Sequence, residues 1–430
     1  MASRIKLIVI SLVTILVLVG GGVLYFTLET TTINNRDQIH QKQTGTRNSE
    51  FQLQRQVVSF PGGETHPFQI PESFEISIAE TGFGMPRFMT KSSDGRIFVA
   101  DMNSWVDDQS GTVWVLDQFS DKQAQFGSVN TYLSDLRNPH DVTFYQDQSG
   151  TDWIYVSETH RLVRYRYKPE LNQPGDSEVV ARFPDYGNSY EEGGWHLTRT
   201  VVFNNDTLYV SVGSSCNVCE EKPDEIRAEI IRMNPDGSNR SVYAEGLRNA
   251  VGLEWVPSSQ LPDRNRDQLY AVEMGVDHLG DSYPDDPLYE ISQETHYGWP
   301  YCYEIDGEVY PDDYRDWKRK SIQCDNVPQS LTGFDPHSAP MGITFFGNDA
   351  PPLLKGNFLV ALKGSANISL AEGYNLTRVT LEGDQAPFMT GFLQDGKRFA
   401  RPVGIQVWDS NSFFVTDDYG GRLFYVSRNN

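Results

Sequence analysis

The sequence is short of positive charge, of cysteine and of long apolar runs. Its 430 residues carry 36 Lys and Arg against 58 Asp and Glu, a formal charge of −22. A duplex nucleic-acid binder needs a basic face to displace counterions, so that class is excluded. Gly (36) and Pro (23) are present at ordinary levels, which excludes collagen and wholesale disorder. There are only four cysteines, Cys216, Cys219, Cys302 and Cys324. Cys216-x-x-Cys219 has no second such pair and no paired histidines beside it, which argues against a zinc site.

One uncharged run stands out, residues 7–28, preceded by Arg4 and Lys6 and followed by Glu29. Its length suffices to cross a bilayer as a helix, and the positive flank would stay cytoplasmic, with the rest of the chain outside. The run exceeds an ordinary signal-peptide core and no A-x-A site closes it, so the expectation is an uncleaved anchor over 1–28, with a cleaved signal peptide as the rival. Export fits sequons at Asn205, Asn239, Asn367 and Asn375. It also favours paired cysteines, and the most local pairing is Cys216–Cys219 with Cys302–Cys324. Residues 29–70 are polar, without apolar periodicity, and are expected to be a tether.

Beyond residue 71 the chain consists of short β-type runs separated by Gly, Asp, Asn and Pro. Ile97-Phe98-Val99-Ala100-Asp101, Trp153-Ile154-Tyr155-Val156-Ser157 and Thr207-Leu208-Tyr209-Val210-Ser211 are of one kind. So are Gln268-Leu269-Tyr270-Ala271-Val272, Asn357-Phe358-Leu359-Val360-Ala361 and Ser412-Phe413-Phe414-Val415-Thr416. Each follows a turn and an earlier alternating run, and the spacing is about 55 to 60 residues apart from one longer interval. Repeated units of short antiparallel strands predict an all-β, six-bladed β-propeller over 71–430, with an insertion at about 296–340. A β-sandwich or two separate β domains is the alternative.

In a propeller the first strand of each blade lines the channel, and the loops entering those strands meet at one mouth. The residues at these entrances are Arg87, His140, His196 with Arg199, Arg248-Asn249, His337 and Arg401. A base or imidazole recurs in every repeat of an acidic chain, which points to an anion site on the axis. Individual arginines could instead tie blades together through neighbouring carbonyls. His196 is a candidate proton acceptor, or a hydrogen-bonded structural residue. The Gly193-Gly194 pair before it would allow close approach of a ligand or a backbone. Lys363, after the fifth second-type run, is a further candidate cation or a solvated strand end. The loop Met274-Gly275-Val276-Asp277-His278-Leu279-Gly280-Asp281 could offer oxygens to a hard cation, or be a solvated acidic loop.

These residues fall in a recognisable pattern. Gly193-Gly194-Trp195-His196-Leu197-Thr198-Arg199 and Val212-Gly213-Ser214-Ser215-Cys216-Asn217-Val218-Cys219 resemble the soluble pyrroloquinoline quinone-dependent sugar dehydrogenases, nearest the sorbosone dehydrogenase-like branch. Gly246-Leu247-Arg248-Asn249-Ala250-Val251-Gly252-Leu253, Tyr297-Gly298-Trp299-Pro300-Tyr301-Cys302 and His337-Ser338-Ala339-Pro340-Met341-Gly342 add to the likeness, which runs from about residue 71 to the C-terminus. The resemblance implies a quinone cofactor at the channel mouth, locked by calcium. It also implies His196 as the catalytic base that takes the sugar hydroxyl proton while hydride passes to the quinone. Arg248, Asn249, Lys363 and Arg401 become cofactor-binding residues, joined by His140 on the strength of its place at a strand entrance, and Gly275 and Val276 calcium ligands through their carbonyls. That loop departs from the glucose-oxidising branch, and Phe399 stands where that branch has a further arginine. The implied partners are a sugar and an external electron acceptor, with no nucleic acid. A propeller that binds a glycan or protein without catalysis is the principal alternative. A calcium-dependent hydrolase is a weaker one, because the axis reads basic rather than acidic.

Overall fold

The computed structural model describes residues 51–60, 62–185, 195–262, 264–313, 317 and 322–429. The expected membrane-spanning helix, the first part of the tether and the Gly193-Gly194 pair lie outside these residues. Among the described residues no helix is long and apolar enough to cross a membrane.

Six antiparallel sheets are arranged as the repeat predicts. Blade I comprises Pro86–Lys91, Ile97–Asp101, Gly111–Asp117 and Ser128–Leu136, and blade II Asp141–Gln146, Asp152–Glu158, Arg161–Arg166 and Ser177–Arg182. Blade III comprises Val201–Asn204, Thr207–Val212, Glu229–Met233 and Ser241–Glu245. Blade IV holds Ala250–Val256, Gln268–Glu273, Asp286–Ile291 and Thr332–Phe334, and blade V holds Pro340–Phe346, Asn357–Leu362, Asn375–Thr380 and Gln385–Met389. Blade VI joins Pro402–Asp409, Ser412–Asp417 and Arg422–Arg428 to Phe74–Thr81 from the other end of the sequence. The register Phe74↔Arg428 to Thr81↔Arg422 closes the ring and removes the open edges a linear stack would leave.

Second strands are sandwiched between neighbouring blades, and so those of blades I, IV and VI are buried along their whole length. This is why they read as near-continuous apolar runs rather than alternating ones. The innermost strands surround a channel of about 320 Å³. Their close approach needs small residues. A Cβ on Gly252, Gly342 or Gly404 would lie 2.2, 2.4 or 2.8 Å from a backbone oxygen of the next blade. Hydroxyls stitch blades together across the same seam. Thr416 Oγ1 donates to Arg87 O at 2.7 Å, and Ser157 Oγ to Arg199 O at 2.6 Å.

Two boundaries differ from the sequence expectation. The polar tether does not extend to residue 70, because Leu53–Ser59 and Thr65–Pro71 form a hairpin. Its inward side chains Val58, Phe60, Phe68 and Ile70 are buried with Phe388, Phe392 and Phe424 of blades V and VI. The consecutive Gln54, Arg55 and Gln56 make the segment look polar as a whole, although Gln56 is turned toward the Phe74–Thr81 strand, where it accepts from Ile76 N–H at 3.2 Å. The insertion at about 296–340 lies within blade IV, between its third and fourth strands. Its last part, Thr332–Phe334, is the fourth strand itself, and Thr295–His296 pairs in parallel with blade III. Both expected disulfides are formed, Cys216–Cys219 and Cys302–Cys324.

Candidate active site

The loops that enter the innermost strands and those that follow the second strands emerge at the same end of the channel. They bring the basic residues of six blades to one mouth, in two connected groups.

The first group spans blades V, VI, I and II. Asp418, directly after the second strand of blade VI, is almost fully buried. Arg87 Nη1 reaches its Oδ2 at 2.6 Å, Arg401 Nε its Oδ1 at 2.7 Å, and Lys363 Nζ lies 3.6 Å from Oδ2. Burial pushes the Asp418 carboxyl up, but Lys363, Arg87 and Arg401 outweigh it and hold the group below the usual range. Burial lowers Lys363 to about 7; Asp418 opposes that fall, while Arg87 and Arg401 add to it. Trp105, half exposed on the loop after the second strand of blade I, covers all three cations. Its ring centre is 4.5 Å from Lys363 Nζ, and 5.7 and 6.0 Å from the guanidinium carbons of Arg87 and Arg401.

His140 belongs to this group. Arg87 Nε donates to its Nδ1 at 3.4 Å, so the ring proton of the neutral imidazole sits on Nε2. Burial, with Arg87, Lys363 and Arg199 adding to it, keeps His140 neutral, well below the usual histidine value. The buried Nε2–H has no acceptor among the described residues. An unmet buried donor beside three cations and one carboxylate is a site suited to an anion.

The second group spans blades III to V. His196 has a left-handed backbone, φ 49°. Its Nδ1 lies 2.9 Å from Ser214 Oγ and 3.2 Å from Ser214 O. The Ser214 hydroxyl hydrogen is already used, because it donates to Cys216 O at 2.6 Å. Both Ser214 oxygens therefore act as acceptors toward His196, which places the imidazole hydrogen on Nδ1 and leaves Nε2 as the lone-pair nitrogen. Burial first, and Arg248 second, depress the His196 pKa well below the ordinary value, so the ring is a neutral base at pH 7. The Gly at 213 is a packing requirement, since a Cβ there would meet His196 Cβ at 2.5 Å and Asn249 Oδ1 at 2.7 Å.

Arg248 is buried and fully engaged. Its Nη2 donates to Asp277 Oδ2 at 2.7 Å and to Asn217 Oδ1 at 2.8 Å, and its Nε donates to Asn217 O at 3.1 Å. The backbone N–H of Asn249 donates to Glu273 Oε1 at 3.0 Å, and its side-chain amide lies 3.3 Å from Met274 Sδ. His337 approaches the other oxygen of Asp277 at 3.5 Å and Gly280 O at 2.9 Å, and the Asp277 contact raises it to about 9 despite partial burial. Gly275 and Val276 line a smaller cavity of about 40 Å³ together with Glu273 and Asp285. One oxygen each of Glu273 and Asp285 is buried without a hydrogen-bond partner among the described residues, and burial lifts Glu273 to about 8.

The expected set is thus brought to one end of the channel, with two reassignments. Arg199 bonds backbone carbonyls: its Nη1 donates to His196 O at 2.8 Å and Thr198 O at 2.7 Å, and its Nη2 to Pro184 O at 3.3 Å. It is the carbonyl-tying arginine that the sequence left open, and it holds the His196 backbone. His337 lies over the Asp277 loop rather than with the first group. Phe399, where the related branch has an arginine, stacks on His66 of the hairpin at 3.5 Å and sits 4.8 Å from Phe60. Asp418, Trp105, Ser214 and Asn217 were not singled out from sequence. Asp418 alone had a usable signal, since it stands just past the second strand of blade VI as Lys363 does in blade V.

A six-bladed propeller with a cationic mouth and a neutral, tautomer-fixed histidine is the class that fold and site define. A model of the TrAA12-like family matches residues 68–429, and the chain belongs to that family. A protein of Borreliella burgdorferi is 26% identical over 376 residues, covering 84% of this chain and 91% of that protein. The holo form of the pyranose dehydrogenase PQQ domain from Coprinopsis cinerea aligns with a TM-score of 0.66 at 20% identity, over 86% of this chain and all (100%) of that one. A calcium structure of a Trichoderma reesei carbohydrate-active enzyme of family AA12 gives 0.65 at 18% identity, over 84% of this chain and 96% of that one. At these identities the structural likenesses speak for the fold.

Proposed function

We propose that the protein is a dehydrogenase that oxidises a sugar hydroxyl with bound pyrroloquinoline quinone and calcium. The observation that carries this reading is the unmet His140 Nε2–H, set beside Arg87, Lys363 and Arg401 with only Asp418 to balance them. A planar cofactor with three carboxylates supplies the acceptors and the charge that this group lacks. Family membership, and the PQQ domain and calcium named for its structural neighbours, support the choice. The residues present fit calcium as well, since the cavity beside Gly275 and Val276 carries unpartnered carboxylate oxygens, a hard donor set.

When bound, the quinone supplies the electron sink and calcium a Lewis acid at its carbonyl. The chain's own work is to orient and to move a proton. Lys363, Arg401, Arg87 and His140 would hold carboxylates, and Arg248 with Asn249 the opposite side of the mouth. His196 Nε2 accepts the hydroxyl proton of the sugar, and Nδ1–H stays on Ser214 throughout, so the imidazolium formed remains oriented. An external acceptor then takes up the electrons. We place the propeller outside the cell, anchored through residues 7–28; the two disulfides and exposed sequons such as Asn205 and Asn239 support this.

The test adds the quinone and calcium to the purified protein and follows the cofactor absorbance and dye reduction with a panel of sugars. A perturbed band at micromolar cofactor and sugar-dependent dye reduction are expected. His196→Ala should keep the band and lose turnover by about a hundredfold or more. Near-wild-type turnover in that variant refutes the assignment of the base.

A further inference from the structure

The loop between the second and third strands of blade III touches both halves of the proposed chemistry. Its Cys216 carbonyl receives the Ser214 hydroxyl at 2.6 Å, and that bond commits the hydroxyl, the nearer of the two Ser214 oxygens, to accept from His196 Nδ1 at 2.9 Å beside the Ser214 carbonyl at 3.2 Å. The next residue, Asn217, is a hub. Its carbonyl accepts from Arg248 Nε and from Trp299 Nε1, both at 3.1 Å, and its side-chain oxygen accepts from Arg248 Nη2 at 2.8 Å and from the Asp277 N–H at 3.1 Å. Asn217 and Val218 are enclosed by the Cys216–Cys219 disulfide, a ring with a sequence separation of 3. Both cysteines are half-buried against Val218, Val276 and Trp299. The segment forms no strand, and the disulfide acts together with these Asn217 bonds and with Ser215, whose N–H and hydroxyl donate to Glu221 at 2.6 and 2.7 Å, to fix its geometry.

We propose that the Cys216–Cys219 disulfide is a positioning device of the active site, which sets the His196 tautomer through Ser214 and clamps Arg248 through Asn217, so that the dithiol form is a low-activity form. The inference rests on the proposed role of His196 as the base. A dithiol reductant opens the ring: two electrons and two protons pass to the cysteine sulfurs, and the reductant closes to its own cyclic disulfide. With the ring open, Cys216 O is free to turn away, and the Ser214 hydroxyl can then donate to His196 Nδ1 instead of accepting. That donation moves the ring proton to Nε2, the nitrogen that must take the substrate proton. The same opening releases Asn217 from Arg248. A ring this small restrains the unfolded chain little, so the fold should survive its loss. Cys302–Cys324, with a sequence separation of 22, braces the insertion and makes no contact with His196 or Arg248 in this way.

The experiment uses the full chain loaded with quinone and calcium, before and after dithiothreitol, and the double variant Cys216→Ser/Cys219→Ser. Imidazole ¹⁵N spectra, with His196→Gln used for assignment, read the tautomer independently of turnover. The disulfide form should show protonated Nδ1, and the opened form a mixture or the Nε2–H tautomer. The kcat should fall about tenfold or more at unchanged melting temperature, with weaker quinone binding by titration, and recover on reoxidation. The Cys302→Ser/Cys324→Ser control should keep the His196 spectrum. An opened ring with unchanged His196 ¹⁵N shifts and quinone affinity overturns the proposal, as does a loss of activity that only follows unfolding. If the tautomer responds but no sugar is oxidised even with the disulfide intact, the positioning stands and the dehydrogenase reading fails.

Discussion

Lys363 gives the sharpest quantitative handle on the site. Its ammonium is shielded from water, has Asp418 as its carboxylate partner and faces Arg87 and Arg401, and its pKa is lowered from 10.5 to about 7. A lysine so depressed makes the folded state less stable wherever it is protonated, fully below about 7 and not at all above 10.5. That difference corresponds to about 5 kcal/mol, set by desolvation and the two guanidinium groups. Carboxylates brought by a polyanionic ligand would offset it, returning the pKa toward 10.5 and drawing a proton from solvent. Binding should therefore be indifferent to pH below about 7 and weaken close to tenfold per pH step above it. Between about pH 6 and about pH 9 the affinity should fall roughly a hundredfold, or about 2.7 kcal/mol. Calorimetric titration of the quinone into the calcium-loaded protein, in buffers of different ionisation enthalpy, reads both the affinity and the proton uptake. Uptake should approach one proton at the alkaline end. Lys363→Met should bind at the weak alkaline level throughout and take up correspondingly less. A wild-type affinity that is flat with pH, or the same slope in Lys363→Met, refutes the argument.

Three further outcomes follow from contacts already described. Gly213→Ala should lower kcat about tenfold or more with modest change in KM, because the new Cβ would displace His196, whose own Cβ is only 2.5 Å away; initial-rate kinetics on the reconstituted protein check it. Asp277→Asn should cost about 1 kcal/mol of stability near pH 6, a value discounted for the exposure of Asp277. Since His337 is raised from 6.5 to about 9, that contribution is complete below 6.5 and disappears as pH rises through 9, so the gap between the melting curves should narrow in alkali to the part owed to the Arg248 bond with Asp277. Phe68→Ala should cost about 3–5 kcal/mol by denaturant unfolding, because the ring is 0% exposed among Phe392, Phe399 and Phe424; a loss below about 1 kcal/mol would mean the hairpin is not part of the folded domain.

The ring was legible because each blade repeats one physical demand, a second strand buried on both faces next to an alternating innermost strand. Ile97–Asp101 and Gln268–Glu273 satisfy it with unrelated residues. The hairpin at 53–71 was not legible for the converse reason. It is covered on one face only, so Gln54, Arg55 and Gln56 dilute Val58, Phe68 and Ile70 into a polar average. Closure by Phe74–Thr81 leaves no local mark either, since its partner strand lies at the far end of the chain.

At the mouth, position in the repeat identified which residues gather but not what each one does. Arg199 and Arg401 both stand at the entrance to an innermost strand, yet one bonds three carbonyls and the other a carboxylate beneath an aromatic ring. The distinction lies in the partner, and the partners come from loops after the second strands, where Asp418 and Asp277 look like ordinary acids of an acidic chain. Physically they are the reason that the bases can be there. Arg87, Lys363 and Arg401 could not be packed together under Trp105 without a carboxylate among them, since like charges at this depth repel strongly. One carboxylate permits the assembly without neutralising it. The surplus of positive charge that remains, rather than the number of bases, is what a ligand meets, and it calls for a molecule carrying more than one negative group.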